Sequence, residues 1–200
     1  MAGKTKGMLF IVSGPAGSGK TTLCEKLLSS YSQSLERVIT STTRKPREGE
    51  VDGVDYHFFS KADFEQKIEN GDYYEHAIVH RNHYGTLKSS ISNRIDDGVD
   101  LVLNVDVQGA KSIWASASQD QSISGRVVSI FIMTADLDVL RARLKERGKD
   151  SHEEIEKRLI TASKEMAFSK EYDYQIVTGS REDDYKTIEG VYLKHASIGL

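Results

Sequence analysis

The residues best placed to do chemistry come early in the chain. Gly14-Pro15-Ala16-Gly17-Ser18-Gly19-Lys20-Thr21 matches G-x-x-x-x-G-K-[ST]. Glycines at these spacings let backbone N–H groups curl around an anion, the lysine brings a point charge to β- and γ-phosphates, and the threonine hydroxyl can ligate Mg²⁺. The pattern follows an apolar run, Met8 to Val12, and precedes a helical one that includes Thr22, so a helix dipole should point at the same anion. Thr21 is thus the expected Mg²⁺ ligand, together with phosphates and waters. Such a site also needs an acid at the end of a buried strand. Leu101-Val102-Leu103-Asn104-Val105-Asp106 supplies Asp106, acting through water, and strand periodicity predicts Asn104 and Asp106 on one face. The alternative role for Asp106 is the N-cap of the helix that follows.

A second anion site is suggested by Thr40-Ser41-Thr42-Thr43-Arg44-Lys45-Pro46-Arg47-Glu48-Gly49-Glu50. Arg44 and Arg47 can bond phosphate oxygens in pairs, which lysine cannot. The alternative is a solvated loop whose arginines pair with Glu48 and Glu50. Tyr56 and Tyr84 can add phenolic donors to the same site; the alternative for each is an amphipathic packing residue. A third group, Arg143, Arg147 and Arg158, lies in a charged stretch at 136–170. Arg143 and Arg147 are four apart and repel mildly on a helix unless an anion lies between them; the alternative is a solvated face balanced by Glu146, Glu153, Glu154 and Glu156.

These groups must be positioned by alternating elements. The patterns predict strands at 8–13, 36–42, 101–107, 127–133 and 174–177. Helices are predicted at 19–30, 60–70, 87–97, 108–118, across 136–170 with a break at Gly148, and at 181–195. Short strands and a turn occupy 73–86. Alternation of this kind implies right-handed crossovers and an α/β fold with a mostly parallel sheet. The segments that fit least well, 43–95 and the charged helical stretch, read as insertions at the carboxyl edge of the sheet, where such folds bind ligands.

Composition narrows the partners. With 27 basic and 30 acidic residues, the net charge of −3 lacks the basic footprint of a nucleic-acid binder. The apolar run at 8–12 is too short for a secretion signal or a membrane span. Cys24 is the only cysteine, which excludes an intrachain disulfide and points to the cytoplasm. It reads as a small buried side chain rather than a reactive thiol.

In one collinear order come the phosphate loop, then S-T-T-R-x-P-R-x-G-E-x-x-G-x-x-Y-x-F from Ser41 to Phe58, then Glu75, Tyr84-Gly85-Thr86, and Asp106-Val107-Gln108-Gly109. Over about residues 8–190 this resembles the guanylate kinases. The resemblance implies a P-loop NTPase core (about 7–42, 96–135 and 171–200), a GMP-binding insertion (about 43–95) and a helical lid (about 136–170). It implies transfer of the γ-phosphoryl of ATP to GMP or dGMP, with Mg²⁺, in purine nucleotide metabolism, and no nucleic-acid or membrane partner. ATP would be held by Gly14, Pro15, Ala16, Gly17, Ser18, Gly19, Lys20, Thr21 and Thr22. The GMP phosphate would be held by Arg44, Arg47, Tyr56 and Tyr84 with Thr40 and Ser41, and guanine would be read by Glu75, Thr86 and Asp106. Lys20, Arg44, Arg143, Arg147 and Arg158 would stabilise the transferring group. Peptide-binding scaffold modules of similar fold typically lack the loop lysine and the lid arginines, which this chain keeps. Three positions depart from the family pattern: Asn104 replaces an acid, Thr40 a serine, and Thr178-Gly179 an asparagine-containing turn that contacts adenine.

Overall fold

The computed structural model describes residues 6–148 and 150–196. Among these the elements are β1 (Leu9–Ser13), α1 (Lys20–Ser30), β2 (Leu35–Arg37), β3 (Ser41–Thr42), β4 (His57–Phe58), α2 (Lys61–Glu69), β5 (Tyr73–Val79), β6 (Asn82–Leu87), α3 (Lys88–Asp96), β7 (Asp100–Asn104), α4 (Val107–Ala117), β8 (Val127–Thr134), α5 (Leu137–Arg147), α6 (His152–Ala167), β9 (Tyr174–Thr178) and α7 (Arg181–His195).

Every residue of β1 is buried, so the strand must be covered on both faces and paired on both edges. β7 and β8 pair with it in parallel, β2 extends the sheet beyond β7, and β9 extends it beyond β8, giving the order β2-β7-β1-β8-β9. The pleat sends Leu9 and Ile11 to one face with Leu101, Leu103 and Phe131, under Ile91, Ile95, Ala110 and Ile113 of the covering helices. Phe10 and Val12 go to the other with Val102, Ile130 and Ile132, under Leu23, Leu27, Ile188 and Tyr192. Strands buried this way read as continuous apolar runs, and each such side chain contributes about 1.5–3 kcal/mol on burial. The chain order runs to one side of β1 for β7 and β2 and to the other for β8 and β9. The carboxyl end of β1 is therefore the topological switch point, where a ligand crevice opens.

A second sheet, ordered β4-β3-β6-β5, belongs to the segment between β2 and α3. Its hairpin turns at His80 and Arg81, both with positive φ (47° and 71°), as a two-residue primed turn requires. Neither residue advertises that turn in the sequence. The charged stretch forms a separate helical pair, with Leu140 and Leu144 of α5 packed on Ile155, Leu159 and Ala162 of α6. Gly148 ends α5 in the left-handed region (φ 65°), and Ser151 with Glu154 makes a reciprocal capping box that starts α6.

Two sequence expectations are corrected. The single strand expected at 36–42 is two strands in different sheets, since Leu35–Arg37 pairs with β7 while Ser41–Thr42 pairs with β4 and β6. The strand expected at 101–107 stops at Asn104, and α4 begins at Val107.

Cys24 lies buried in the second core face beside Leu23 and Leu27, and burial pushes its thiol up to about 12. A thiol reagent at neutral pH should therefore label the native chain far more slowly than the unfolded one. Rapid stoichiometric labelling without denaturant would refute that packing.

Candidate active site

The phosphate loop begins where β1 ends. Gly14 has φ 140°, and a Cβ there would stand 1.9 Å from the Ile132 carbonyl oxygen of β8. Only glycine lets the loop turn so close to the neighbouring strand. Gly19 takes the N-cap position of α1 with no side-chain cap and no acid in the first turn. The first N–H groups of α1 are thus left facing the loop, an arrangement that favours an anion. The Ser18 hydroxyl is buried without a hydrogen-bond partner, and a phosphate oxygen would satisfy it.

Lys20 Nζ donates to the carbonyls of Gly14 (2.6 Å) and Pro15 (2.8 Å). Burial pushes its pKa below the ordinary value, and the carboxylates of Glu165 and Asp106 oppose that shift. Burial likewise raises Glu165, with Lys20 opposing. The helical pair touches the loop directly, because a Cβ on Gly17 would meet Leu144 at 3.1 Å and Leu140 at 3.2 Å. The same α5 helix carries Arg143 and Arg147 to a cleft of about 690 Å³ that Lys20, Thr21 and Thr22 also line. Arg143 donates to the Thr178 hydroxyl at 2.9 Å and approaches the Ser18 carbonyl at 3.4 Å. Arg158 is not among the cleft residues; it pairs with Asp150 at 3.0 Å.

At the second cluster, Arg44 forms a two-point pair with Glu50, both bonds 2.9 Å, and donates to the Lys45 carbonyl at 2.8 Å. The Arg47 backbone N–H donates to the same carboxylate at 2.7 Å. Arg44 first, and the Arg47 N–H second, hold the Glu50 carboxyl down to about 2. The two readings of this loop are thus not exclusive, since Arg44 is paired while the Arg47 guanidinium has no carboxylate partner among the described residues. Tyr56 sits 5.5 Å from the Arg44 guanidinium carbon, and the Tyr84 ring lies edge-on to Tyr56 at 6.2 Å. The hydroxyls mostly serve the scaffold: buried Ser41 bonds the Gly85 carbonyl at 2.9 Å, and Thr42 bonds the His83 carbonyl at 2.9 Å. Thr40 instead lines a cavity of about 220 Å³ that Tyr56, Thr21, Cys24 and Asn104 also line.

A register shift between Tyr73 and Glu75 marks a bulge in β5. Tyr73 packs with Phe64 and Leu87, whereas Tyr74 turns into the main core, and Glu75 follows re-aimed. Fully buried Thr86 donates its one hydroxyl proton to Glu75 Oε1 at 2.6 Å. Burial raises the Glu75 pKa, Thr86 opposes, and the nearby charge of Asp106 adds to the rise. Asp106 caps α4, its Oδ1 accepting from the Gly109 N–H at 2.8 Å. A Cβ on Gly109 would fall 2.3 Å from Val105 Cγ2 and 3.5 Å from Glu75 Cγ, so glycine there leaves room for the carboxylate. Strand periodicity does not relate Asn104 to Asp106, because the strand has ended between them. Asn104 reaches Thr21 Oγ1 at the 3.5 Å limit of a hydrogen bond.

The sequence model described as "Guanylate kinase" matches residues 6–195. The chain belongs to the guanylate kinase family. It is 39% identical over 188 residues to a guanylate kinase of Clostridium perfringens strain 13, covering 94% of this chain and 83% of that one. It is 44% identical over 172 residues to one of Desulfotalea psychrophila, covering 86% and 81%. The crystal structure of guanylate kinase from Anaplasma phagocytophilum superposes with a TM-score of 0.69 at 30% identity, over 96% of this chain and 88% of that one.

Beside the motifs of a guanylate kinase, the site includes two side chains the motifs pass over. Glu165 follows buried Ala162 by three residues on α6, so its helix position was a readable signal of an inward-facing acid. Arg181 lines the Lys20 cleft from the first turn of α7, and no local pattern marks it.

The Arg44–Glu50 pair can be checked by titration. Because the Glu50 pKa is depressed, the pair stabilises the loop above the ordinary value of 4.5 and is lost as pH falls toward about 2. Carbon NMR should find the Glu50 carboxyl titrating near that low value, and in Arg44→Ala it should return close to 4.5. An unperturbed titration in the unaltered chain would refute the pairing.

Proposed function

We propose that this chain transfers the γ-phosphoryl of ATP to GMP or dGMP, giving ADP and the nucleoside diphosphate, with Mg²⁺ as cofactor. The observation that carries the reading is that Thr21 of the phosphate loop and Asn104 line the same cavity as Thr40 and Tyr56, which flank the loop bearing Arg44 and Arg47 in the sequence. Family membership supports the two substrates. The three-part division, with a core at about 7–42, 96–135 and 171–200, an acceptor insertion at 43–95 and a lid at 136–170, follows from this reading. Among the described residues no helix is long and apolar enough to cross a membrane; the cytoplasm, with its soluble nucleotides, is the proposed location.

The loop from Gly14 to Thr22 grips the donor. Lys20 exchanges the carbonyls of Gly14 and Pro15 for phosphate oxygens. Arg47 and the Tyr56 and Tyr84 phenols meet the acceptor phosphate, with Arg44 held in place by Glu50. Thr40 adds a hydroxyl, and Ser41 anchors the strand behind it. Glu75 accepts from guanine N1–H and the N2 amino group, Thr86 fixes its orientation, and Asp106 completes the base site. Arg143 and Arg147 neutralise the moving phosphoryl from the lid, joined by Arg158 when it exchanges Asp150 for the nucleotide. Lid closure excludes water, which would otherwise take the phosphoryl. No covalent intermediate is required.

The residues present suit Mg²⁺. Thr21 and Asp106 offer hard oxygen donors, and no cluster of three or more His, Cys, Asp or Glu forms a metal cage among the described residues. That donor set fits a cation carried mainly by phosphates and waters. When bound, it neutralises charge on the β- and γ-oxygens.

Assay with ATP, Mg²⁺ and a panel of GMP, dGMP, IMP, AMP and UMP tests the reading; turnover of AMP or UMP at the GMP level would refute the acceptor. Lys20→Ala should lower kcat by at least about a hundredfold with the fold and GMP binding retained. Near-normal turnover would exclude the phosphate-loop role.

Glu75→Gln separates recognition from stability. The amide offers one acceptor and one donor where two acceptors are needed, so kcat/KM for GMP should fall about tenfold to several hundredfold. The loss for IMP, which lacks the N2 amino group, should be smaller. Because burial raises the Glu75 pKa, its charge costs stability as pH rises above the ordinary 4.5 through the folded value. The variant should therefore be no less stable than the unaltered chain at neutral pH. Over the same window the GMP KM of the unaltered chain should fall with rising pH, and that of the variant should not. Equal losses for GMP and IMP would show that Glu75 does not read the amino group.

A further inference from the structure

We infer that Arg181 is the side chain that holds the donor nucleotide's base, by laying its guanidinium plane on the purine face. The inference rests on the reading of the Lys20 cleft as the ATP site. The turn between β9 and α7 stands at the outer wall of that cleft, two strands from β1 in the order β1-β8-β9, or about 10 Å across the sheet. That offset places the turn beyond the phosphate loop, at the sheet edge opposite β2, after which the acceptor segment leaves the sheet, so a donor base that avoids the acceptor has this side open to it.

The polar side chains of this turn are already engaged. Thr178 Oγ1 donates to the Met133 carbonyl (3.1 Å) and accepts from Arg143 (2.9 Å). Ser180 caps α7, accepting from the Asp183 N–H (3.2 Å) and donating to its carboxylate (2.7 Å). Gly179 has no side chain, and its N–H donates to Asp184 at 2.8 Å. The next residue, Arg181, lines the cleft yet makes no ion pair or hydrogen bond among the described residues. Its position is also locally unfavourable. A cation in the first turn of a helix opposes the dipole, although Glu182, Asp183 and Asp184 of the same turn counter it; within the cleft itself Arg143 and Arg147 stand nearby with only Glu146 as a carboxylate. An unpaired guanidinium in such a place gains most from a flat, electron-rich ligand, on which it stacks. Because stacking reads ring area rather than hydrogen-bond pattern, the site should prefer purines over pyrimidines while discriminating weakly among purines.

Calorimetry on the intact chain, Arg181→Leu and Arg181→Lys, with ADP, CDP and inorganic tripolyphosphate as probes, tests the assignment. Expected are a three- to tenfold weakening of ADP binding (roughly the worth of one such contact) in both variants and a narrower preference for ADP over CDP. Tripolyphosphate affinity should stay within about twofold, and the leucine variant should melt no lower than the unaltered chain. Equal losses for ADP and tripolyphosphate, rescue by lysine, or no loss at all would overturn the inference. Failure of the unaltered chain to bind ADP would overturn both this inference and the donor-site reading beneath it.

Discussion

The half-buried ammonium of Lys20 is the constraint on which the rest of the arrangement depends. Taking a cation out of water is unfavourable unless other groups replace the solvent. Here the replacements come from separate parts of the chain: the Gly14 and Pro15 carbonyls of the loop itself, Asp106 at the start of α4, and Glu165 on α6. Each lies within the field of the lysine only if β1, β7 and the α5–α6 pair hold their relative places. The Gly17 contact with Leu140 and Leu144 fixes the last of these by packing alone. A charge in the right place thus presupposes the sheet order, the switch point at β1 and the seating of the helical pair.

The second cluster solves the opposite problem. Arg44 sits in a flexible-looking loop with neighbours of the same sign, and Glu50 holds it through two bonds while the Arg47 N–H steadies Glu50. Glu75 is treated differently again. It is a carboxylate kept partly out of water, with one oxygen tied by Thr86 and a second acid, Asp106, close enough to raise its pKa. Such a group gains from a ligand that donates two hydrogen bonds, and under the proposed function its discomfort without one would make the base site selective.

What the sequence made legible follows from how each feature is encoded. β1, β7 and β8 are buried on both faces, so their apolar runs mark them without ambiguity, and the glycine spacing at 14–19 reports the loop's backbone directly. The division of 36–42 into two strands was not legible, because which sheet a two-residue strand joins is decided by partners at His57 and Tyr84, not by its own residues. For Asp106 the N-cap alternative is the one observed, because the strand register ends where α4 needs a cap. Ser41 reads as a ligand hydroxyl by composition, yet burial against Gly85 makes it scaffold. Arg181 is invisible locally, since only the order of β9 in the sheet brings the first turn of α7 to the cleft.

Several of the places where local rules are broken gather at one end of the molecule. Lys20 is half-buried, Glu75 is half-buried near another acid, and Arg143, Arg147 and Arg181 share a cleft with one exposed carboxylate. Elsewhere Ser60, Asp136, Ser151 and Ser180 cap their helices, and the central strand β1 is buried along its whole length. A chain with stability of only about 5–15 kcal/mol can carry several unfavourable charges only if the remainder of the fold is free of them. Their collection at the carboxyl edge of β1 is therefore itself an argument that this edge is where a polyanion and a hydrogen-bonding base are meant to arrive, because those ligands relieve every one of these violations together.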